Sequence, residues 1–285
     1  MTFTSAAVVA GISGWPVKHS RSPRIHNYWI KKYGIDGVYI PLPITPNNAF
    51  DAFRSLPGLG IVGLNVTTPH KETAYKAVDE VDEWAEQLKA VNTIAIRNGL
   101  LYGTNTDAYG FIEALLEAHP NWSASSGPAV VLGAGGAARA VVAALRAEGA
   151  PAISVLNRTM KRAEKLCEDL RQPAIPIPWA KREKSIEGAK LVVNTTVLGM
   201  VGQPSLDIEL SNLEADAVVV DIVYNPLETP FLKKARSRGN IGIDGLGMLL
   251  HQARPGFKEW FGTEPEVDSK LREYVLADLV TETKR

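Results

Sequence analysis

The feature that most constrains this chain is a short glycine-rich stretch near its middle. Ala129-Val130-Val131-Leu132 reads as a β-strand and runs into Gly133-Ala134-Gly135-Gly136-Ala137-Ala138-Arg139. Ala140–Leu145 then continues with apolar residues suited to a buried helix. A strand, a Gly-x-Gly-x-x-Ala turn and a helix in that order leave few folds open. Gly133 permits the tight turn, Gly135 removes a side chain where a pyrophosphate must approach the backbone, and Ala138 lets the helix pack close to a sheet. The helix start offers N–H groups and the positive end of its dipole. We read a dinucleotide site over Gly133, Ala134, Gly135, Gly136 and Ala137; a purely structural turn is the alternative.

The following strand bears on which dinucleotide. Ile153–Leu156 is predicted as a strand and ends at Asn157-Arg158-Thr159. NAD sites usually carry an acid about 20 residues past the loop, to bind the ribose 2′-hydroxyl. None lies there; the nearest downstream is Glu164, and Arg158, Lys161 and Arg162 stand in the region instead. A guanidinium keeps its charge and offers a planar fork to a 2′-phosphate. Lys161 reads as a solvated surface charge and Arg158 as functional, so NADP(H) is expected over NAD.

Around this motif, short apolar runs alternate with helical patterns, which signals a parallel α/β architecture. Strands are predicted at Ala6–Ile12, Gly37–Leu42, Gly60–Val66, Pro128–Leu132, Leu191–Asn194, Ala217–Asp221 and Ile241–Asp244. Helices are predicted at Pro23–Lys32, Asn47–Ser55, Glu80–Leu88, Ala108–Ala118, Ala137–Glu148, Met160–Leu170, Pro230–Arg238, Leu246–His251 and Val267–Val280. Thr93–Arg97 and Leu101–Gly103 form a hairpin around Asn98-Gly99. The length of 285 residues fits roughly two domains of about 150 each. We expect an N-terminal α/β domain over 1–107, completed by 245–285, and a Rossmann domain over 108–244.

Composition excludes several classes. Lys and Arg together number 31 and so do Asp and Glu, which argues against a nucleic-acid binder that relies on a basic surface. No run approaches the roughly 18 apolar residues of a membrane span. Cys167 is the single cysteine, so neither an intrachain disulfide nor a multi-cysteine metal site can form. It reads as a core residue. The five histidines show no metal-ligand spacing, and no metal is expected. The first residues, Met1–Ser5, lack the positive region of a signal peptide. A cytoplasmic protein is expected.

Polar clusters mark the first third. His19-Ser20-Arg21-Ser22-Pro23 follows the first strand, Asn65-Val66-Thr67-Thr68-Pro69-His70-Lys71 closes the third, and Val91-Asn92-Thr93 and Asn105-Thr106-Asp107 come later. All fall at predicted strand ends or helix starts, where open α/β sheets host ligands. Hydroxyls, amides and a lysine converging there suit a small, oxygen-rich anion. Singly, each has a structural reading too. Lys71 suits a solvated surface, Asp107 an N-cap, Ser20 and Ser22 a turn before Pro23, and Asn92 and Asn105 the binding of loop backbone.

Taken together, the stretches resemble the shikimate dehydrogenase family, NADP-dependent reductases of 3-dehydroshikimate. The resemblance runs in order from Gly14–Pro23 through Asn65–Lys71, Ala90–Thr93, Gly103–Asp107, Gly133–Arg139, Asn157–Thr159, Asn194–Met200 and Asp221–Pro226 to Asp244–Gln252. It implies that Ser20 and Ser22 hold the substrate carboxylate. It implies that Thr67, Asn92, Asp107 and Gln252 bind ring hydroxyls, that Tyr224 lines the substrate site, and that Lys71 and Asp107 form the catalytic pair. Met248 would lie near the nicotinamide, with Thr195 and Gly245 also on the cofactor side. Asn157, Arg158, Thr159 and Arg162 would surround the 2′-phosphate. One departure is Thr195-Thr196, where relatives often have Ala-Thr; it implies a change in packing under the cofactor. The family also implies a role in making aromatic amino-acid precursors, an active site in a cleft between the domains, and a monomer or homodimer. Quinate/shikimate or aminoshikimate dehydrogenases are the neighbouring alternatives, and a non-catalytic NADP-binding sensor is the alternative outside enzymes.

The chemistry those roles need is general. Reducing a ketone takes a hydride and then a proton at the developing alkoxide. An ammonium supplies the proton and stabilises the oxyanion as well. A free lysine has a pKa of about 10.4; burial would lower that of Lys71 and a neighbouring Asp107 would raise it.

Overall fold

The computed structural model describes residues 3–277. The chain forms two compact units. One takes in the chain up to Thr106 and again from Leu250; the other runs from Asp107 to Leu249. Each holds one six-stranded sheet.

The first unit begins with β1 (Val8–Gly14), α1 (Ser22–Lys32), β2 (Gly37–Pro43), α2 (Ala49–Arg54), β3 (Ile61–Val66), α3 (Lys71–Ala77), β4 (Glu80–Val81), α4 (Glu83–Leu88), β5 (Thr93–Arg97) and β6 (Leu100–Thr104). The strand order is β2-β1-β3-β5-β6-β4. β1 lies parallel to β2 and β3, whereas β5 is antiparallel to β3 and β6, so the sheet is mixed. The expected hairpin is present. Asn98 and Gly99 have φ of 53° and 79°, the left-handed pair that lets a two-residue turn follow the strand twist. One core of this unit gathers Phe53, Leu56, Leu64, Ala74, Ile94 and Leu101.

Two local differences from the sequence pattern have clear causes. Glu80–Leu88, expected as one helix, is a short strand followed by α4. Asp82 divides them: its carboxylate accepts the Ala85 N–H at 2.7 Å as an N-cap, and Glu83 and Glu86 lie in the first turn. α3 is not announced at all, because only Ala74 and Ala77 of its residues are buried, too small and too few to set a helical period.

The second unit runs α5 (Asp107–Ala118), β7 (Ala129–Leu132), α6 (Gly136–Ala147), β8 (Ile153–Asn157), α7 (Met160–Leu170), β9 (Ala174–Pro178), α8 (Arg182–Ser185), β10 (Leu191–Asn194), β11 (Val218–Asp221), α9 (Pro230–Ser237), β12 (Ile241–Ile243) and α10 (Leu246–His251), whose last residues already belong to the first unit. All six strands are parallel, in the order β12-β11-β10-β7-β8-β9. Counted within this unit, that is 6-5-4-1-2-3, the order of a doubly wound dinucleotide-binding sheet. β7, β10 and β11 are buried along their whole length, as parallel strands in such sheets are. β9 was not expected: Pro176 and Pro178 lack N–H donors, which only an edge strand tolerates, and β9 is the edge.

The chain then returns to the first unit through α11 (Arg254–Phe261) and α12 (Ser269–Leu276). Trp260 donates its indole N–H to the Ile94 carbonyl at 3.1 Å. It lies so close over β3 that a Cβ at Gly63 would strike the ring. Phe257 meets Trp29 edge-on at 5.2 Å, and Trp29 Nε1 donates to Glu266 O at 2.9 Å. Burying a side chain of Phe257's size contributes roughly 1.5–3 kcal/mol. α11 went unread because Pro255 and Gly256 look like breakers. Yet Pro255 sits in the first turn, where it is tolerated, and Gly256 makes room for the Trp260 ring. α12 covers the middle of the expected Val267–Val280 helix, capped by Asp268 at 2.7 Å. Residues 278–280 of that expectation lie outside the described residues.

Candidate active site

The first unit gathers its polar residues at one end of its sheet. β1 and β3 are parallel and end at Gly14 and Val66, and the antiparallel β5 starts with Thr93 opposite Asn65. β6 ends with Thr104 opposite Thr93. The segments carrying Ser20, Ser22, Thr67, Lys71, Asn92 and Thr106 therefore leave the sheet at the same end. Backbone bonds fasten them together: Thr67 N–H to Ser13 O at 2.8 Å, Val66 N–H to Asn92 O at 2.7 Å, Val91 N–H to Lys71 O at 2.9 Å and Asn92 N–H to Thr104 O at 3.0 Å. Lys71, half-buried, is the first residue of α3. His70 before it is buried, with Nε2 2.7 Å from Ile44 O.

Side chains extend this frame. Tyr39 OH donates to Asn65 Oδ1 at 2.7 Å, and Asn65 Nδ2 donates to Thr93 Oγ1 at 3.0 Å. Thr93 Oγ1 donates to Asn92 Oδ1 at 3.0 Å, and that oxygen also accepts the Thr106 N–H at 3.0 Å. With Oδ1 fixed as the acceptor, Nδ2 of Asn92 is the donor, and it reaches Thr106 Oγ1 at 3.1 Å. Thr106 Oγ1 in turn donates to Gln252 O at 2.8 Å. Ser20 Oγ accepts the Ser22 N–H at 3.3 Å, so it does hold the turn into α1, and Ser22 itself is buried. Asn105 donates to Ala90 O at 2.8 Å, its loop-binding reading. Burial pushes the Tyr39 phenol well above its ordinary range, with the Ser22 hydroxyl pulling the other way. Asp107 is buried and opens α5 directly after Thr106.

In the second unit the glycine turn has the expected form. Gly133 has φ of 117°, and a Cβ there would run into Thr195 Oγ1. Thr195 donates to Leu132 O through both its N–H at 2.8 Å and its hydroxyl at 2.7 Å, so it braces the turn from below. Ala138 is fully buried in the helix–sheet contact. A Cβ at Gly135 or Gly136 would meet no atom within 4 Å. The first bond of α6 runs from Arg139 N–H to Gly135 O at 3.0 Å, so the N–H groups of Gly136, Ala137 and Ala138 have no partner within the helix. Open space over these donors fits a pyrophosphate. Beside the turn, β8 ends at Asn157, whose Nδ2 donates to Thr159 O at 2.9 Å. Arg158, Thr159 and Arg162 are exposed at the start of α7. A cationic pair on this rim fits a nucleotide bearing a 2′-phosphate.

Gly245, Tyr224 and Met248 also lie in this unit. A Cβ at Gly245 would collide with the Ile222 backbone, so glycine there is needed for the close approach of α10 to the segment after β11. Tyr224 and Met248 are half-buried. One buried group was missed as a site element. Asp221, at the end of β11, accepts from Asn194 Nδ2 at 2.9 Å, Thr229 Oγ1 at 2.6 Å and Val223 N–H at 3.1 Å. Burial pushes its carboxyl up to about 6. Asp221 ties together the loops that carry Thr195 and Tyr224. An acid ending an apolar strand run was the available signal. Among the described residues no group of three or more His, Cys, Asp or Glu is placed to hold a metal ion. No helix among them is long and apolar enough to cross a membrane. Burial pushes the Cys167 thiol up to about 11, which suits a core residue.

Comparison with known proteins agrees with this layout. A family model for the shikimate dehydrogenase substrate binding domain matches residues 12–94, and one for shikimate / quinate 5-dehydrogenase matches residues 117–224. The shikimate dehydrogenase (NADP(+)) of Paramagnetospirillum magneticum is 53% identical over 272 residues, covering 95% of this chain and 99% of that protein. The chain belongs to the shikimate dehydrogenase family. Among solved structures, a quinate dehydrogenase from Corynebacterium glutamicum in complex with NAD superposes with a TM-score of 0.88 at 33% identity, over 95% of this chain and 99% of that one. A shikimate 5-dehydrogenase from Thermus thermophilus in complex with NADP(H) and shikimate superposes with a TM-score of 0.84 at 34% identity, over 95% and 99%.

Proposed function

We propose that this chain is an NADP-dependent shikimate dehydrogenase that interconverts 3-dehydroshikimate and shikimate. The observation that carries the reading is the hydrogen-bonded frame at one end of the first sheet, which ties the Lys71 main chain to Val91 and the Asn92 side chain to Thr106. In this reading substrate binds chiefly through residues of the first unit, and NADP(H) through residues of the second.

Bound NADPH supplies the hydride. The chain's residues do the rest. Ser20 and Ser22 hold the carboxylate with their hydroxyls. Thr67, Asn92, Asp107 and Gln252 take the ring hydroxyls, and Tyr224 lines the substrate. The Lys71 ammonium stabilises the negative charge developing on the ketone oxygen and gives it a proton; in the reverse direction Lys71 takes the proton back from the hydroxyl. Asp107 is its partner in this acid–base pair. Gly133, Ala134, Gly135, Gly136 and Ala137 cradle the pyrophosphate, and Asn157, Arg158, Thr159 and Arg162 hold the 2′-phosphate. Thr195 and Gly245 complete the cofactor side, with Met248 at the nicotinamide. A cytoplasmic setting and a role in making aromatic amino-acid precursors are proposed along with the family's activity. A monomer or homodimer is proposed.

The test is a nicotinamide absorbance assay crossing shikimate and quinate with NADP and NAD. Turnover mainly with shikimate and NADP is expected. A preference for quinate or NAD would move the chain to the quinate side of its family while keeping the Lys71 chemistry. No turnover in any combination would overturn the enzymatic reading.

A further inference from the structure

Tyr39 is not one of the substrate ligands proposed above, yet its phenol meets the Ser22 hydroxyl and also begins a chain of bonds that ends at Asn92. It lies on β2 and is 1% exposed. Its ring stacks on His26 with centroids 4.0 Å apart and planes 3° from parallel. His26 is fully buried, and burial pushes its pKa down to about 3, so the stack is between two neutral rings. The phenol is thereby held in one orientation with its hydroxyl on Asn65.

The direction of each bond matters. Asn65 could present either end of its amide. Its Nδ2 faces Thr93 Oγ1 at 3.0 Å and the Asn92 carbonyl, which only accepts, at 3.4 Å, so its Oδ1 takes the Tyr39 proton. Both ends of the Asn65 amide are thus engaged within the protein. Because Thr93 Oγ1 accepts from Asn65, its own proton goes to Asn92 Oδ1. Reverse the Asn65 amide, and the Thr93 proton would turn to it instead, taking one donor from Asn92. Buried polar chains of this kind hold their members more firmly than any one bond does.

We infer that Tyr39 is a positioning residue for substrate binding, acting through Asn65 and Thr93 to brace the Asn92 amide in the orientation that the Thr106 N–H sets. The inference rests on the reading of Asn92 as a substrate ligand.

The experiment is steady-state kinetics on Tyr39→Phe, Thr93→Val, their double variant and Asn92→Ala, with thermal melts of each. Tyr39→Phe removes one oxygen and is expected to raise the shikimate KM about five-fold, the worth of one hydrogen bond. The NADP KM and kcat stay within about two-fold, a split that general loosening of the fold would not produce. Thr93→Val shows the same split, and it stands in should Tyr39→Phe fail to fold. The rise in the double variant falls short of the product of the two singles, because both cut one path. An unchanged shikimate KM in Tyr39→Phe, or single effects that multiply in full, would overturn the inference while Asn92→Ala still raises KM. An unchanged KM in Asn92→Ala would instead remove the ligand reading of Asn92, and the inference with it.

Discussion

Thr106 gives its hydroxyl proton to the main-chain carbonyl of Gln252 at 2.8 Å, across 146 residues of sequence. The same oxygen accepts from Asn92 at 3.1 Å. One small side chain therefore joins the polar end of the first sheet to the segment that brings in Gln252. Replacing Thr106 with Val keeps the shape and removes both bonds. The expected result is a rise of about five- to tenfold in the shikimate KM and a loss of about 1–2 kcal/mol in stability. Kinetics and a denaturant melt on Thr106→Val check it; an unchanged KM would show that the tie does not serve the site.

Lys71→Ala tests the chemistry directly. Losing a positioned acid lowers kcat by about 10²–10⁴, while the shikimate KM moves only a few-fold. Equal losses in kcat and in affinity would assign Lys71 to binding and leave the proton donor unassigned.

Arg158 separates the two nicotinamide cofactors. A charge-assisted bond to a 2′-phosphate contributes about 1.5–3 kcal/mol. Arg158→Ala should raise the NADP KM by roughly ten-fold to a hundred-fold and leave the NAD KM nearly unchanged. Parallel changes for both cofactors would place Arg158 away from the 2′-position.

Two buried groups give the units opposite responses to acid. His26 is held down to about 3 from an ordinary 6.5, so between those values the unfolded chain binds a proton that the folded first unit refuses. Stability from this group is present above about 6.5 and is lost as the pH falls toward 3. Asp221 is pushed up to about 6 from 3.8, so the folded second unit keeps a proton the unfolded chain has released. That stability is present below about 3.8 and is lost as the pH rises through 6. Each effect is on the order of 3–5 kcal/mol. Hydrogen exchange resolved along the chain at pH 4–7 would read both. His26→Phe should flatten the acid sensitivity of α1 and β2, and Asp221→Asn should flatten the opposite trend in β11. Unaltered slopes would assign the titrations to other groups.

Much of the second unit was legible because its rules are local. A strand, three small residues at fixed spacing and a helix declare the nucleotide turn, and Met160–Leu170 declares its helix by period alone. The Asn98-Gly99 turn was legible for the same reason: the backbone there needs positive φ, and few residues supply it cheaply. What escaped depends on distance. α3 draws its stability from Ala74 and Ala77 packed on remote strands, and α11 from a tryptophan seated on a glycine in β3. The roles of Ser20, Lys71 and Asn92 were suggested by ordered motifs, but the bonds that orient Asn92 start at Tyr39 and Asn65, which lie on two different strands. No spacing rule links them.

The discontinuous make-up of the first unit has a consequence for synthesis. Asp107–Leu249 is one unbroken stretch, so it can close as soon as it is made, whereas the sheet begun at Val8 waits for Trp260. At roughly 5–20 residues per second, the domain started first on the ribosome is the one finished last. A nascent chain stalled before Arg254 would carry Trp29 and Ile94 with no partner helix over them, a hydrophobic face offered to chaperones and proteases rather than to substrate.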